Sequence, residues 1–325
     1  MRLLIVGMGG HLGTAVAQRF DRDPNVEMLG IDIEPPRRLL RRAEFSLVVD
    51  PTAARAAHDI ARRIADFSPT HVAHFGVYEP HARANPRAAH ARSVAMTNAL
   101  CDGMADVSSV KAIAFRSGIE VYGRQRGTAL SPDELVDPAP TSGFGRTLWE
   151  LEQVMAHLGR ARGIPVARLR FAPVAGPHTP SPLTRYLRLP FVVPVGAIPD
   201  PPFSLLHIDD AAEATSAAVQ RRFDGAVNVV GPGAVTASQA VRLGGRIPLP
   251  TIGPGWLFAR LAAASLGSPL PDHVIELFTR GRTADGALAR SVLGQTPTHS
   301  TSDIVRDMYH WSPVTYLDVD KVHAA

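Results

Sequence analysis

At 325 residues, with 45% hydrophobic and 20% charged residues, the chain has the composition of a folded globular protein, which excludes extensive disorder. The formal charge of +4 is small and scattered, which argues against nucleic acid as a partner and leaves a small-molecule ligand, with a homodimer as the expected assembly. One cysteine, Cys101, excludes an internal disulfide framework and thiol-rich metal sites.

The first apolar run, residues 2–6, meets a glycine turn too soon to be a signal sequence. Apolar runs at 3–6, 26–31, 45–49, 71–75, 110–115 and 166–171 predict six strands. Helical spacing marks 12–20, 53–67, 88–104 and 145–161 between them. Nine prolines then fall between Pro173 and Pro202, so that segment is expected to be a long ordered loop without regular structure, passing the mouth of a ligand site. The chain returns through 203–208, a helix over 209–220 and a seventh strand at 226–230, and the remainder reads as helical. Strands alternating with helices imply an α/β fold, a Rossmann-type doubly wound parallel sheet with a smaller, mostly helical C-terminal lobe. The expected division is a dinucleotide-binding domain over 1–172, completed by 203–230, and a lobe from 173–202 and 231–325. Residues 256–266 form an apolar helix, interrupted by Arg260, that is too short to span a bilayer. It could touch lipid or a second subunit, and burial against the first domain is the default. A cytoplasmic protein is expected.

The first turn reads Gly7-Met8-Gly9-Gly10-His11-Leu12-Gly13. Glycines at 7, 10 and 13 let the backbone bend sharply after a strand and lie close to a pyrophosphate at a helix N-terminus. Asp32 ends the second strand, where a carboxylate accepts from both ribose hydroxyls and repels a 2′-phosphate. Against this stand Arg37, Arg38, Arg41 and Arg42, which could clamp such a phosphate or form a solvated helix face. The balance favours NAD over NADP.

At this point the chain resembles the extended short-chain dehydrogenase/reductase family, the NAD-dependent epimerases and dehydratases that act mainly on nucleotide sugars. The resemblance is carried by the glycine spacing, by Asp50-Pro51 after the third strand, by His74-Phe75-Gly76 and by Glu120-Val121-Tyr122-Gly123. It continues through Leu169-Arg170 to Gly176-Pro177, through His207-Ile208-Asp209-Asp210-Ala211, and through Leu293-Gly294 with Pro297. Within the family, Leu183-Thr184-Arg185-Tyr186-Leu187, Ser238-Gln239-Ala240-Val241 and Gly245-Arg246-Ile247-Pro248 are similar to an actinobacterial UDP-sugar-epimerase-like branch. The resemblance implies cofactor contacts at Gly7, Gly10, His11, Leu12, Gly13, Asp32, Ile33, Asp50, Pro51, Phe75, Gly76, Ser93, Phe144, Leu148 and Pro173.

The family's chemistry needs a tyrosine, a lysine four residues later and a serine or threonine. Here those positions hold Phe144, Leu148 and Gly118, and no tyrosine in the chain has a lysine four residues after it. The substrate side departs as well, with Pro173 and Ser93 at usual asparagines and Phe203 at an arginine that contacts pyrophosphate. Glu120 matches the base of family dehydratases, although the acid beside it is Ile119. Ser117 is one residue from the usual serine, a shift that turns it to the other strand face unless a loop conformation intervenes. Glu120 and Ser117 are therefore the candidate catalytic residues. Tyr122, four residues before Arg126, reads as packing, and His71 and His74 face opposite sides of one strand, which predicts no metal. Two readings remain open: an atypical oxidoreductase or epimerase acting on a nucleotide sugar or related molecule, and a catalytically inactive NAD-binding sensor or scaffold.

Overall fold

The computed structural model describes residues 1–36, 40, 43–80, 85–123, 138–177, 179, 181–189, 192–196, 200–253, 255–266 and 270–311, with the backbone alone at 43–46 and 196. The arginines at 37, 38, 41, 42 and 126 lie outside the described residues.

Seven parallel strands form the central sheet: β1 (Arg2–Val6), β2 (Glu27–Asp32), β3 (Ala43–Val48), β4 (His71–His74), β5 (Ala112–Gly118), β6 (Val166–Phe171) and, later in the chain, β11 (Gly225–Val229). Their order is β11-β6-β5-β4-β1-β2-β3, so the winding reverses between β1 and β4. The covering helices are α1 (His11–Phe20), α2 (Ala56–Phe67), α3 (Pro86–Met104), α4 (Gly143–Arg162) and α6 (Ile208–Arg221). The inner strands β1, β4 and β5 bury nearly all of their side chains on both faces, which is why β1 and β4 read as largely apolar runs instead of alternating, while Val48 of the edge strand β3 is exposed. Local signals set the helix ends. Asn85 accepts from the Ala88 amide with Pro86 at the first helical position of α3, and Ser142 accepts from the Gly145 amide at the start of α4.

The proline-rich segment is more regular than its composition predicts. It carries β7 (Val174–Ala175), helix α5 (Pro182–Leu187) and β8 (Val192–Gly196), and ends at β9 (Pro202–Phe203). Proline suits the first turn of a helix and strands lacking a partner on one side, so Pro182 starts α5 behind the Ser181 cap and Pro194 sits within β8. Strand β10 (Leu206–His207) pairs with β7, and β12 (Val235–Thr236) pairs with β9. Strand β13 (Ile247–Thr251) runs parallel to β8, an element unexpected in a stretch read as helical. Helices α7 (Ala237–Leu243), α8 (Gly255–Ser265), α9 (Asp272–Arg280), α10 (Ala287–Leu293) and α11 (Thr301–Met308) complete the chain.

Two hydrophobic clusters result. The larger surrounds the sheet and takes in Leu293 of α10, while the smaller joins Tyr186, Phe203, Val241, Phe278 and Ile304. Between them, at the C-terminal ends of β5 and β6, lies a cleft of about 570 Å³ including its open mouth.

Candidate functional site

The reversal between β1 and β4 places the glycine turn at the crevice where open α/β sheets hold ligands. Gly7 has φ of +85°, and a Cβ there would lie 2.6 Å from the carbonyl carbon of Phe75, so the turn is seated against the end of β4. A Cβ on Gly13 would overlap the Gly7 carbonyl oxygen, and one on Gly9 would overlap that of Glu34. Gly9 is thus a third close approach that the predicted spacing of 7, 10 and 13 omits. No side chain caps α1, whose N-cap is Gly10 and whose first turn, opened by His11 and Leu12, carries no acid.

Asp32 closes this turn. Its Oδ2 accepts from the Gly10 amide at 3.0 Å, and its Oδ1 accepts from the Ile33 amide at 2.6 Å and the Tyr78 hydroxyl at 3.2 Å. Burial raises its pKa above the ordinary carboxylate value, and the bonds from Ile33, Tyr78 and Gly10 oppose that rise. Gly76 follows Phe75 with no room for a side chain against Met96 and Val6. Asp50, beside the buried Pro51, accepts from Arg92 at 2.8 Å and from Thr52 at 2.7 Å. These contacts hold its pKa below the ordinary value even though partial burial alone would raise it. Ser93 is fully buried, accepting from the Tyr78 amide and donating to the Ala89 carbonyl.

In the cleft, Phe144 and Leu148 are both buried and form part of the apolar wall together with Phe171 and Pro173. The neighbouring Gly118 has a specific consequence. A Cβ at that position would overlap Oε2 of Glu120 and meet Leu148 Cδ1 at 3.1 Å, so the Glu120 carboxylate fills the space beside a glycine where the family pattern has serine or threonine. Ser117 belongs to β5, and its hydroxyl donates to Glu152 at 2.7 Å, so the loop conformation that would free it is not adopted. Glu152 also takes two bonds from Arg170, at 2.6 and 3.2 Å. Arg170 in turn donates to the Tyr122 hydroxyl, which donates to Asn228 at 2.7 Å. Tyr122 is therefore a hydrogen-bonded member of a buried network and not apolar packing alone. His74 is fully buried on β4, where Nε2 pairs with Thr97 at 2.9 Å and Nδ1 accepts from the Gly76 amide, and burial drives its pKa down to about 3.

Sequence reasoning missed four cleft residues, Glu79, Arg116, His273 and Arg282. His273, at the start of α9, packs its ring 5.0 Å from the ring of Phe144, and its Nε2 lies 2.8 Å from Glu79 Oε1. Arg116 approaches the same ring with its guanidinium 5.6 Å from the centroid. Both side chains therefore flank the one that stands at the tyrosine position. Arg282 is 1% exposed, and its Nε and Nη1 have no hydrogen-bond partner. Its Nη2 makes only long contacts, 3.4 Å to the Gly123 carbonyl and 3.4 Å to Glu276. Its backbone bridges to Phe203, the position lacking the family's arginine. His273 and Arg282 lie far in sequence from Phe144 and in no short motif. The available signal was helical period, since His273 precedes Leu277 by four residues on the buried stripe of α9.

A reversed parallel sheet with a glycine-rich turn at its switch point defines a Rossmann-type dinucleotide-binding protein. The model of the NAD dependent epimerase/dehydratase family matches residues 3–231, and the chain belongs to that family. An uncharacterized protein of Mycobacterium tuberculosis is 31% identical over 211 residues, 64% of this chain and 56% of the relative, and one from Mycobacterium bovis matches equally. The chain thus spans little more than half the length of the curated relatives it matches. Among solved structures, the UDP-glucose-4-epimerase of Stenotrophomonas maltophila, with bound NAD and formylated UDP-arabinopyranose, is 20% identical over the whole of both chains with a TM-score of 0.75. The UDP-glucuronic acid 4-epimerase of Bacillus cereus, in complex with UDP-glucuronic acid and NAD, is 19% identical over 96% of this chain and 98% of its own, with a TM-score of 0.73. A Bacillus anthracis dTDP-glucose 4,6-dehydratase in complex with NAD reaches 0.71 at 13% identity, covering 96% of each chain. At these identities the likeness is one of fold. No helix among the described residues is long and apolar enough to cross a membrane.

Proposed function

We propose that this chain is an NAD-binding oxidoreductase or epimerase whose proton-handling group has moved from the family's tyrosine position to the His273 and Glu79 pair, and whose substrate carries an anion, as nucleotide sugars do. The observation that carries this reading is the 2.8 Å contact between His273 Nε2 and Glu79 Oε1 beside the ring of Phe144. The cradle at Gly7, Gly9 and Gly13 and the Asp32 carboxylate fit a dinucleotide, with Asp32 favouring NAD over NADP. When bound, the nicotinamide supplies the hydride acceptor.

The remaining work falls to the chain's own residues. The Glu79 carboxylate accepts the proton on His273 Nε2, leaving Nδ1 to accept a proton from a substrate hydroxyl, and the carboxylate then stabilises the imidazolium. Arg282, a buried cation with two unpaired nitrogens, binds the anionic part of the substrate. Phe144 and Leu148 keep the wall dry, which strengthens both interactions. Glu120, set against Gly118, is a second carboxylate within the same cleft. The lone Cys101, free and partly buried, accords with a cytoplasmic setting.

A non-catalytic sensor or scaffold is the second reading, favoured by the burial of Phe144 and Leu148 within the main core. The separating experiment incubates protein and NAD with a panel of nucleotide sugars, following NADH absorbance and altered sugars by mass spectrometry. Turnover that His273→Gln abolishes supports the enzyme. Silence with NAD demonstrably bound supports the sensor.

A further inference from the structure

The described residues include ten exposed large hydrophobic side chains, and nine of them lie on one corner, at Val192 and between Leu243 and Leu266. Single exposed apolar residues are ordinary, whereas a concentration of this kind marks a binding surface. Ile252 is 78% exposed, Phe258 70%, Ile247 65% and Leu261 61%. Helix α8 is the clearest part. Ala259 and Ala263 face inward with Trp256 against the second core, while Leu257, Phe258 and Leu261 occupy the opposite stripe. Beyond Trp256 at its start, the inward face is made of small residues and the outward face of large ones, so most of the helix's apolar area faces away from its own domain.

Strand addition does not explain the corner. β13 reads Ile-Pro-Leu-Pro-Thr, and Pro248 and Pro250 remove two backbone donors from alternate positions of a strand already paired with β8 on its other side. The charge pattern points elsewhere. From residue 225 to 271 the sequence contains no aspartate or glutamate, and its three charged side chains are Arg242, Arg246 and Arg260. Arg242 is exposed beside Leu243, and Arg260 flanks the outward stripe of α8, with Asp272 at 3.3 Å as an ion-pair partner. Asp272 and Glu276 of α9 border this surface beside Leu257 and Arg260, where Arg260 and Arg280 pair with them, and Arg242 and Arg246 leave the corner with a net positive charge. Large apolar side chains beside an excess of cations match the interface of an anionic bilayer.

We propose that this corner docks the protein on an anionic lipid surface, with Ile252, Leu257, Phe258 and Leu261 entering the headgroup boundary and Arg242 and Arg260 meeting lipid phosphates. Attachment is peripheral and reversible, and the cleft stays in water on the other side of α9.

The test is co-sedimentation of the full chain with vesicles of phosphatidylcholine alone and of phosphatidylcholine mixed with phosphatidylglycerol. Binding is expected to the mixed vesicles, to weaken with added salt, and to fall at least about tenfold in the triple variant Leu257→Ser, Phe258→Ser, Leu261→Ser, given the apolar area those side chains would bury. Arg242→Gln with Arg260→Gln should reduce the preference for the anionic vesicles. Because the substituted side chains are all exposed, the variants should keep the parent's melting temperature, and that measurement confirms that they fold. Absence of vesicle binding by the parent, or equal binding by the triple variant, overturns the proposal. So does a dimer in sedimentation velocity that the triple variant dissociates while vesicles bind neither protein, because the occupant would then be a second copy of this chain.

Discussion

Replacing Arg282 with methionine should make the ligand-free protein more stable and its ligand binding weaker. The guanidinium is 1% exposed and leaves Nε and Nη1 without partners. Unsatisfied buried donors cost about 1–3 kcal/mol each. What the substitution removes is modest: two 3.4 Å contacts from Nη2, to Gly123 and to Glu276. Glu276 is not orphaned, because Arg280 pairs with its other oxygen at 3.1 Å. Exchanging poorly compensated buried charge for an apolar side chain of similar length is commonly neutral or stabilising by about 1–4 kcal/mol. The net expectation is a gain of about 1–3 kcal/mol, read as a melting midpoint a few degrees higher by calorimetry without ligand. The same variant should bind UDP, used as a probe of the anion site, about 10- to 100-fold more weakly by titration calorimetry, the worth of a charge-assisted hydrogen bond. A variant that melts several degrees lower and binds UDP as the parent does would show Arg282 to be a structural strut, and the anion site would have to be sought elsewhere.

Asp32→Ala should weaken NAD binding at least about tenfold, and in the parent the thermal shift with NAD should exceed that with NADP; equal shifts would remove the role given to the carboxylate. His273→Gln should lower turnover by about 10²–10⁴-fold while leaving the NAD-induced thermal shift intact, and Glu79→Gln should act in the same direction with an altered pH–rate profile. Glu152→Ala should destabilise the fold by about 3–5 kcal/mol in urea titrations, because it strands the buried Arg170 and the Ser117 hydroxyl. For His74 the folded pKa, about 3, lies below the ordinary histidine value of 6.5, so its stabilising contribution is full above pH 6.5 and is lost as pH falls from there toward 3. The slope in that window is about 1.4 kcal/mol per pH unit, and His74→Gln should flatten it.

The sheet was legible because its signal is local. Residues 166–171 are bounded and strand-length, with four apolar residues around Arg168 and Arg170, and they form β6 with the predicted limits, while the other central strands shift by a few residues at most. The glycine turn was legible for a related reason, since close approach of backbone to backbone leaves glycine in the sequence itself. The segment 173–202 was misread because proline was counted without position; Pro182 begins a helix, which is where proline is tolerated. The cleft's charged groups were harder. Glu79, His273 and Arg282 come from a strand-to-helix loop, a helix start and the turn beyond that helix, and only the packing of α9 against α4 brings His273 to Phe144. Nothing in the spacing of those residues encodes that distance.

The three departures from the family pattern are coupled in space, which bears on how the chain could regain or lose the family's chemistry. Serine at position 118 would place its Cβ against Oε2 of Glu120 and crowd Leu148, so that carboxylate would have to swing away first. Tyrosine at 144 would carry a hydroxyl into a space already flanked by Arg116 and His273. Lysine at 148 would bring a cation onto a wall that is now 1% exposed and apolar. Each reversion alone meets a neighbour adapted to the present residue. A single substitution such as Phe144→Tyr should therefore leave turnover low even with cofactor bound, and a full return of tyrosine chemistry should require changes at 118, 120, 144 and 148 together. Recovery of high activity by Phe144→Tyr alone would show that the cleft still has the older arrangement, with His273 and Glu79 as bystanders.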